Sequence, residues 1–178
     1  LFCDRYIAPE HKVHTVSGYA LDAADAMHPA IVFRAGVGGG TVRKCYELAG
    51  ARLNVTYAFE GFSGGTFAIE LNVSLPACDG YAGRYLLASG DIPCGFGQEL
   101  AQDALTTVTL DDGELGGALV LTASAPVALR AAPYFTVSQS EAGFEKIMQA
   151  ATVTLSWPLV PGRSVLTLTL EVAVTPGA

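Results

Sequence analysis

Apolar and polar residues alternate with a period of two over much of the chain. From 52 to 59, Leu53, Val55, Tyr57 and Phe59 face one way, and Arg52, Asn54 and Thr56 face the other. From 66 to 75, Phe67, Ile69, Leu71, Val73 and Leu75 share a face opposite Glu70, Asn72 and Ser74. Alternation of this length marks half-buried strands. The glycine-rich segment 60–65 between them predicts an antiparallel hairpin. The pattern recurs near the C-terminus. Val153, Leu155, Trp157 and Leu159 alternate with Thr152, Thr154 and Ser156. After a Pro161-Gly162 turn, Leu166, Leu168, Leu170, Val172 and Val174 alternate with Thr167, Thr169, Glu171 and Ala173, predicting a second hairpin.

Weaker strand signals cover 12–20, 30–35, 41–48, 105–111 and 117–124. The last carries apolar residues on both faces, as a strand buried on both sides does. Two stretches read as short helices. Segment 98–104 follows a glycine-rich turn, and 140–151 opens with Ser140 and gathers Phe144, Ile147 and Met148 on one side. Many short strands with Gly/Pro turns predict an all-β fold: an antiparallel β-sandwich or flattened barrel with one or two short connector helices. No repeat, low-complexity tract or charge run breaks the chain, so 1–178 reads as a single domain. The apolar faces of the two hairpins are expected to meet, placing Phe67, Ile69 and Leu71 near Leu155, Trp157 and Leu168.

Composition narrows the partners. The formal net charge is −7, and the basic residues form no stripe. That excludes nucleic acid and an anionic membrane surface as expected partners. No run of 18 apolar residues is present, so no spanning helix is expected. Charged residues make up only 15% of the chain, against about a quarter in ordinary soluble domains. Mean hydropathy is +0.38. The apolar surplus fits an Ala/Gly-rich core, an apolar ligand cavity, or burial in an oligomer. The expected partner is therefore an apolar small molecule or another protein, a second copy of the chain included.

The only two asparagines, Asn54 and Asn72, both sit in N-x-S/T sequons. They are read as glycosylation sites, which makes the expected location extracellular or a secretory lumen, after removal of a leader. With Phe59 opposite Phe67, Asn54 would face Asn72 across the first hairpin, Cβ atoms about 5 Å apart. Cysteines stand at 3, 45, 78 and 94. An even count in such a chain favours two disulfides, with three possible connectivities. The short, glycine-containing stretch between Cys78 and Cys94 favours their pairing, worth roughly 3 kcal/mol, and leaves Cys3 for Cys45.

Candidate chemistry is thin. Gly61-Phe62-Ser63-Gly64-Gly65 resembles a serine-protease nucleophile loop, but Ser63 has no base at motif spacing. Gly36-Val37-Gly38-Gly39-Gly40-Thr41 lacks the lysine and helix of a phosphate loop. His11 and His14 point to opposite faces of a strand and His28 lies elsewhere, so no metal site is expected. Asp111-Asp112-Gly113-Glu114 reads as a turn. Trp157 reads as a core anchor. No catalytic residue, cofactor or metal ligand is assigned, and the chain is expected to work by non-covalent binding.

Cys3-Asp4 near the start, the 52–75 hairpin running into Pro76-Ala77-Cys78-Asp79, Ile92-Pro93-Cys94 and the Trp-containing final hairpin together resemble the MD-2-related lipid-recognition family, nearest its ganglioside-activator branch. The resemblance implies a secreted, disulfide-bonded, often glycosylated sandwich that opens between its sheets to hold a lipid. The expected function is thus a secreted binding module for an apolar ligand or a protein partner. The alternative is a structural subunit of an extracellular assembly such as a coat, appendage or viral particle.

Overall fold

A computed structural model describes residues 2–25, 30–79, 82–140 and 143–174. His28, Gly80 and the tail 175–178 lie outside them. Twelve strands carry the fold: β1 (Phe2–Ile7), β2 (Val13–Thr15), β3 (Ala20–Asp25), β4 (Ala30–Val37), β5 (Gly40–Ala49), β6 (Arg52–Phe62), β7 (Thr66–Val73), β8 (Gly83–Leu87), β9 (Leu100–Asp112), β10 (Gly117–Ser140), β11 (Gly143–Pro158) and β12 (Gly162–Val174). A single 3₁₀ turn, Pro76–Asp79, follows β7.

All named pairings are antiparallel. One layer runs β2-β1-β7-β11 and ends on the second half of β10. The other runs β3-β4-β5-β6-β12 and ends on the first half of β10. The long β10 thus belongs to both layers, changing partner between Ala123 and Ala128. β9 accompanies it with register shifts in the same region, and β8 borders β9. The expected all-β sandwich is present. No α-helix occurs among the described residues. Of the segments expected as helices, 100–104 lies in β9, Ser140 ends β10 and 143–151 lies in β11; 141–142 lie outside the described residues. Phe144, Ile147 and Met148 satisfy a helical spacing over too short a stretch to decide. Pairing with β10, at Gln139↔Phe144 and Phe135↔Met148, decides it.

Neither expected hairpin forms. β6 pairs with β5 and β12, and β7 with β1 and β11. Likewise β11 and β12 pair with other strands. Each short link is an arch carrying the chain from one layer to the other, and the arches lie together: the Leu159 amide donates to the Gly65 carbonyl at 2.8 Å. Gly65 has φ +101, and a Cβ there would sit 2.5 Å from the Ile7 carbonyl oxygen. Only glycine fits. Asn54 and Asn72 therefore do not face each other. They stand on the outer faces of opposite layers, where Asn54 Oδ1 accepts from Thr169 Oγ1 (2.8 Å) and Asn72 Oδ1 from Thr152 Oγ1 (2.6 Å).

The expected disulfides are also absent: all four cysteines are free. Asp4 and Lys44 point inward, so their neighbours Cys3 and Cys45 point outward from opposite layers and cannot meet. Cys78 is buried against the backbone, its thiol near the Val73 carbonyl. The Cys94 thiol is directed to the Glu99 carbonyl instead.

The expected core does form, by a different route. Phe67, Ile69 and Leu71 stand beside Trp157, Leu155 and Val153 in adjacent strands of one layer. Phe59 of the facing layer packs on them, 4.7 Å from Phe67 and 5.8 Å from Trp157 between ring centroids. Beyond Pro133, β10 and β11 pair only with each other among the described residues. This two-stranded ribbon leaves Val137 and Phe144 exposed. Leu168 is fully buried beside Val55. Leu168→Ala is therefore expected to cost about 2–5 kcal/mol, read as a lowered urea midpoint. A cost below about 0.5 kcal/mol, the size of a surface change, would contradict this packing.

Candidate functional site

The most organised polar cluster bridges the open side of the sandwich. On β1, Phe2, Asp4 and Tyr6 share the inward face. On β5, Val42, Lys44 and Tyr46 do the same. Phe33, Lys44 and Tyr57 stand in one cross-strand row over β4, β5 and β6. Asp4 and Lys44 thereby meet between the layers, both almost fully buried. Lys44 Nζ donates to Asp4 Oδ2 at 2.8 Å. The Tyr19 hydroxyl donates to the same oxygen at 2.8 Å, and the Tyr57 hydroxyl to Oδ1 at 3.1 Å.

Aromatic rings enclose the ammonium. Lys44 Nζ lies 4.6 Å from the centroid of Phe2, 4.9 Å from Tyr57, 5.1 Å from Tyr46 and 5.6 Å from Tyr19. All fall within the range of cation–π attraction. Above the pair, Tyr19, Phe33, Lys44 and Tyr46 line a depression of about 170 Å³. Phe33 and Tyr46 meet nearly at right angles, 85° between ring planes, and form its corner.

Burial shapes the titration of these groups. It raises the Tyr19 hydroxyl far above the usual tyrosine range, with Asp4's charge adding to the effect. Tyr57 moves in the same direction for the same reasons. Burial, then Asp4, pushes Tyr46 up to about 12. Burial lowers Lys44, against the opposing pull of Asp4. The arrangement holds its charges in place and offers neither a free base nor an activated nucleophile. What it exposes is a small cup of aromatic surface with a neutralised floor, suited to non-covalent contact.

The residues singled out in the sequence lie elsewhere. Ser63 is exposed in the first arch. His14 stacks on Tyr6, with centroids 6.0 Å apart, and the Tyr6 hydroxyl donates to the Gly64 carbonyl at 3.0 Å. One tyrosine thus contacts both segments, yet no hydrogen bond joins His14 to Ser63. His11 sits in a turn with φ 65. No group of three or more metal-binding side chains occurs among the described residues. Gly38 and Gly39 close the β4–β5 hairpin, and Trp157 is a core residue. Asp112 is more than a turn signal. It is fully buried, with Oδ2 accepting from the Ala77 amide (3.0 Å) and Oδ1 from the Glu114 and Leu115 amides (both 2.9 Å). It ties the 3₁₀ turn to the β9–β10 connection.

Asp4, Tyr19, Lys44 and Tyr46 were not expected as a site. Their signal was present but weak: a charged residue on the apolar face of a strand, once on β1 and once on β5. Each looks like an interruption until the fold brings them together.

Residues 14–170 match the family described as alpha-amylase/4-alpha-glucanotransferase, C-terminal. No curated protein sequence matches the chain. Among solved structures, 4-alpha-glucanotransferase from Thermococcus litoralis is similar with a TM-score of 0.65 at 16% identity, over 96% of this chain and 27% of that one. The chain thus spans about a quarter of that protein's length. The GalM/aldose epimerase homologue from C. elegans is similar with a TM-score of 0.58 at 12% identity, over 97% of this chain and 80% of that one. A putative aldose 1-epimerase from Escherichia coli K12 gives a TM-score of 0.57 at 9% identity, over 96% and 79%. At these identities the likeness is one of fold.

These matches overturn the MD-2-related resemblance and, with it, the reading of the chain as a secreted, disulfide-bonded lipid-binding module. The features behind it, alternating strands and spaced cysteines, occur in unrelated sandwiches. The space where a lipid would lie is occupied: Tyr57, Phe59, Phe67 and Trp157 stand there with centroids 4.7 to 6.1 Å apart.

Two outcomes follow from the buried cluster. Asp4→Asn leaves the Lys44 ammonium buried without a counter-charge and is expected to cost about 3–5 kcal/mol, measured by chemical denaturation. Alkaline pH is expected to unfold the chain. Burial keeps Tyr19, Tyr46, Tyr57 and Tyr85 protonated above the ordinary tyrosine value, about 10. Above that pH the unfolded chain loses protons that the folded chain retains, so stability falls as pH rises. Tyr46 contributes across the window up to about 12. Lys44 acts in the opposite sense, one group against four. Phenolate absorbance and loss of near-UV circular dichroism should therefore rise together above pH ~10.

Proposed function

The chain belongs to the alpha-amylase/4-alpha-glucanotransferase C-terminal family, and from that membership we propose that it serves as a non-catalytic β-sandwich domain of an α-glucan-processing enzyme. In this reading the glycosidic chemistry is done elsewhere and the domain contributes binding. The family match over residues 14–170 carries the proposal. The site supports it from the chemical side. Glycoside chemistry uses a pair of carboxyl groups flanking the scissile bond, one of them free to exchange a proton. Asp4 is instead committed to Lys44, Tyr19 and Tyr57. Asp112 is committed to three backbone amides.

The purified chain, incubated with maltotriose, is expected to produce neither glucose nor longer oligosaccharides. Ser63→Ala and His14→Ala are expected to leave its folding and ligand binding unchanged. Turnover that tracks the protein through purification and disappears in Asp4→Asn, with the fold retained, would refute the non-catalytic reading.

A further inference from the structure

We infer that the cup formed by Tyr19, Phe33 and Tyr46 above Lys44 binds a single neutral hexopyranose ring, the unit that terminates an α-glucan. The inference rests on the reading of the domain as part of an α-glucan-processing enzyme, and the cup narrows the ligand class further.

Size comes first. The cup holds about 170 Å³, well under the ~300 Å³ at which pockets for drug-sized ligands begin. It admits one ring and not a chain. Wall chemistry comes second. Three half-buried aromatic residues line it, and Phe33 stands at 85° to Tyr46. Such a corner presents the electron-rich face of one ring beside the edge of another. The C–H groups on one side of a pyranose carry a slight positive charge and suit that face. The Tyr46 hydroxyl has no hydrogen-bond partner among the described residues, and so remains free for a sugar hydroxyl.

Charge comes third, and it separates neutral sugars from the alternatives. A bare aromatic cage would select a cation. Here the cage already encloses one, since Lys44 Nζ lies within 4.6 to 5.6 Å of four ring centroids. A cationic ligand would meet an ammonium in its place. An anion gains little either, because Asp4 neutralises that ammonium at 2.8 Å. What remains is a neutral ligand with both an apolar face and hydroxyl groups.

The test is a titration of the 178-residue chain by NMR chemical shifts, with maltose, glucuronate and choline as separate probes. Saturable shifts with maltose are expected, with no tighter binding for maltotriose and weaker binding for glucuronate and choline. Tyr46→Ala and Phe33→Ala should each weaken maltose binding up to about tenfold, the size of a lost aromatic contact. Tyr46→Phe should retain the stacking part of the affinity. Thr107→Ala, in the separate groove bordered by β8 and β9, should change nothing. Circular dichroism establishes that each variant folds. Absence of saturable maltose binding would overturn the inference, as would tighter binding of either charged probe. So would maltose binding that both alanine variants leave intact. A cup that fails in this way leaves the non-catalytic reading standing, whereas turnover by the chain alone would refute that reading without bearing on the cup.

Discussion

A lysine ammonium and an aspartate carboxylate meet between the two layers of this sandwich, where neither could stay charged alone. Burying a single ion there costs several kcal/mol after relaxation, so Asp4 requires Lys44 and Lys44 requires Asp4. The requirement is geometric as well as electrostatic. A one-residue slip of β1 would turn Asp4 outward and bring Cys3 inward. The pair therefore pins the register of β1 against the opposite layer. Tyr19 and Tyr57 fix it further by occupying both carboxylate oxygens. The cup and its enclosing rings all depend on that register.

The rest of the architecture follows from how the chain changes layers. Two arches, 63–65 and 159–161, carry it across at one end and touch through Leu159 and Gly65. β10 crosses by running through both layers, with β9 bending alongside. This arrangement gives each layer four or more strands while keeping the aromatic residues of β6, β7 and β11 face to face. It also fills the interlayer space with Tyr57, Phe59, Phe67 and Trp157. A ligand of the proposed kind would then have to sit at a rim or on an outer face, and the cup lies at a rim, beside the β3–β5 edge.

The solved structures of similar fold include proteins named as a glucanotransferase and as aldose epimerases. A shared sandwich does not transfer an activity, because function resides in sites placed on folds. Several charged groups of this chain hold its elements together. Asp4–Lys44 joins the layers, Asp112 ties a turn to a strand connection, and Arg5–Glu70 and Arg84–Asp111 brace neighbouring strands. The ligand proposed for the rim would meet aromatic surface there.

Local pattern determined the inward faces along the central parts of the strong strands, although Val172 and Val174, on the same expected face of β12, are exposed. Leu53 to Phe59, Phe67 to Leu71, Val153 to Trp157 and Leu166 to Leu168 all keep the faces that alternation predicts, because side-chain direction along a strand depends only on the backbone's period of two. The all-β class followed from the same regularity. Which strand lies beside which was not legible. Alternation names a face and not a neighbour, and Ser63-Gly64-Gly65 suits an arch as well as a hairpin turn. The cysteines show the same limit, since an even count says nothing about whether Cys3 and Cys45 point to the same side. Segments 100–104 and 143–151 are strands because β10 offered pairing that a short, ambiguous apolar spacing could not outweigh. Asp4 and Lys44 stand forty residues apart, each reading as a fault in its own strand. Only the tertiary structure, by setting β1 across from β5, turns two isolated buried charges into one neutral pair and the aromatic residues around them into a cup.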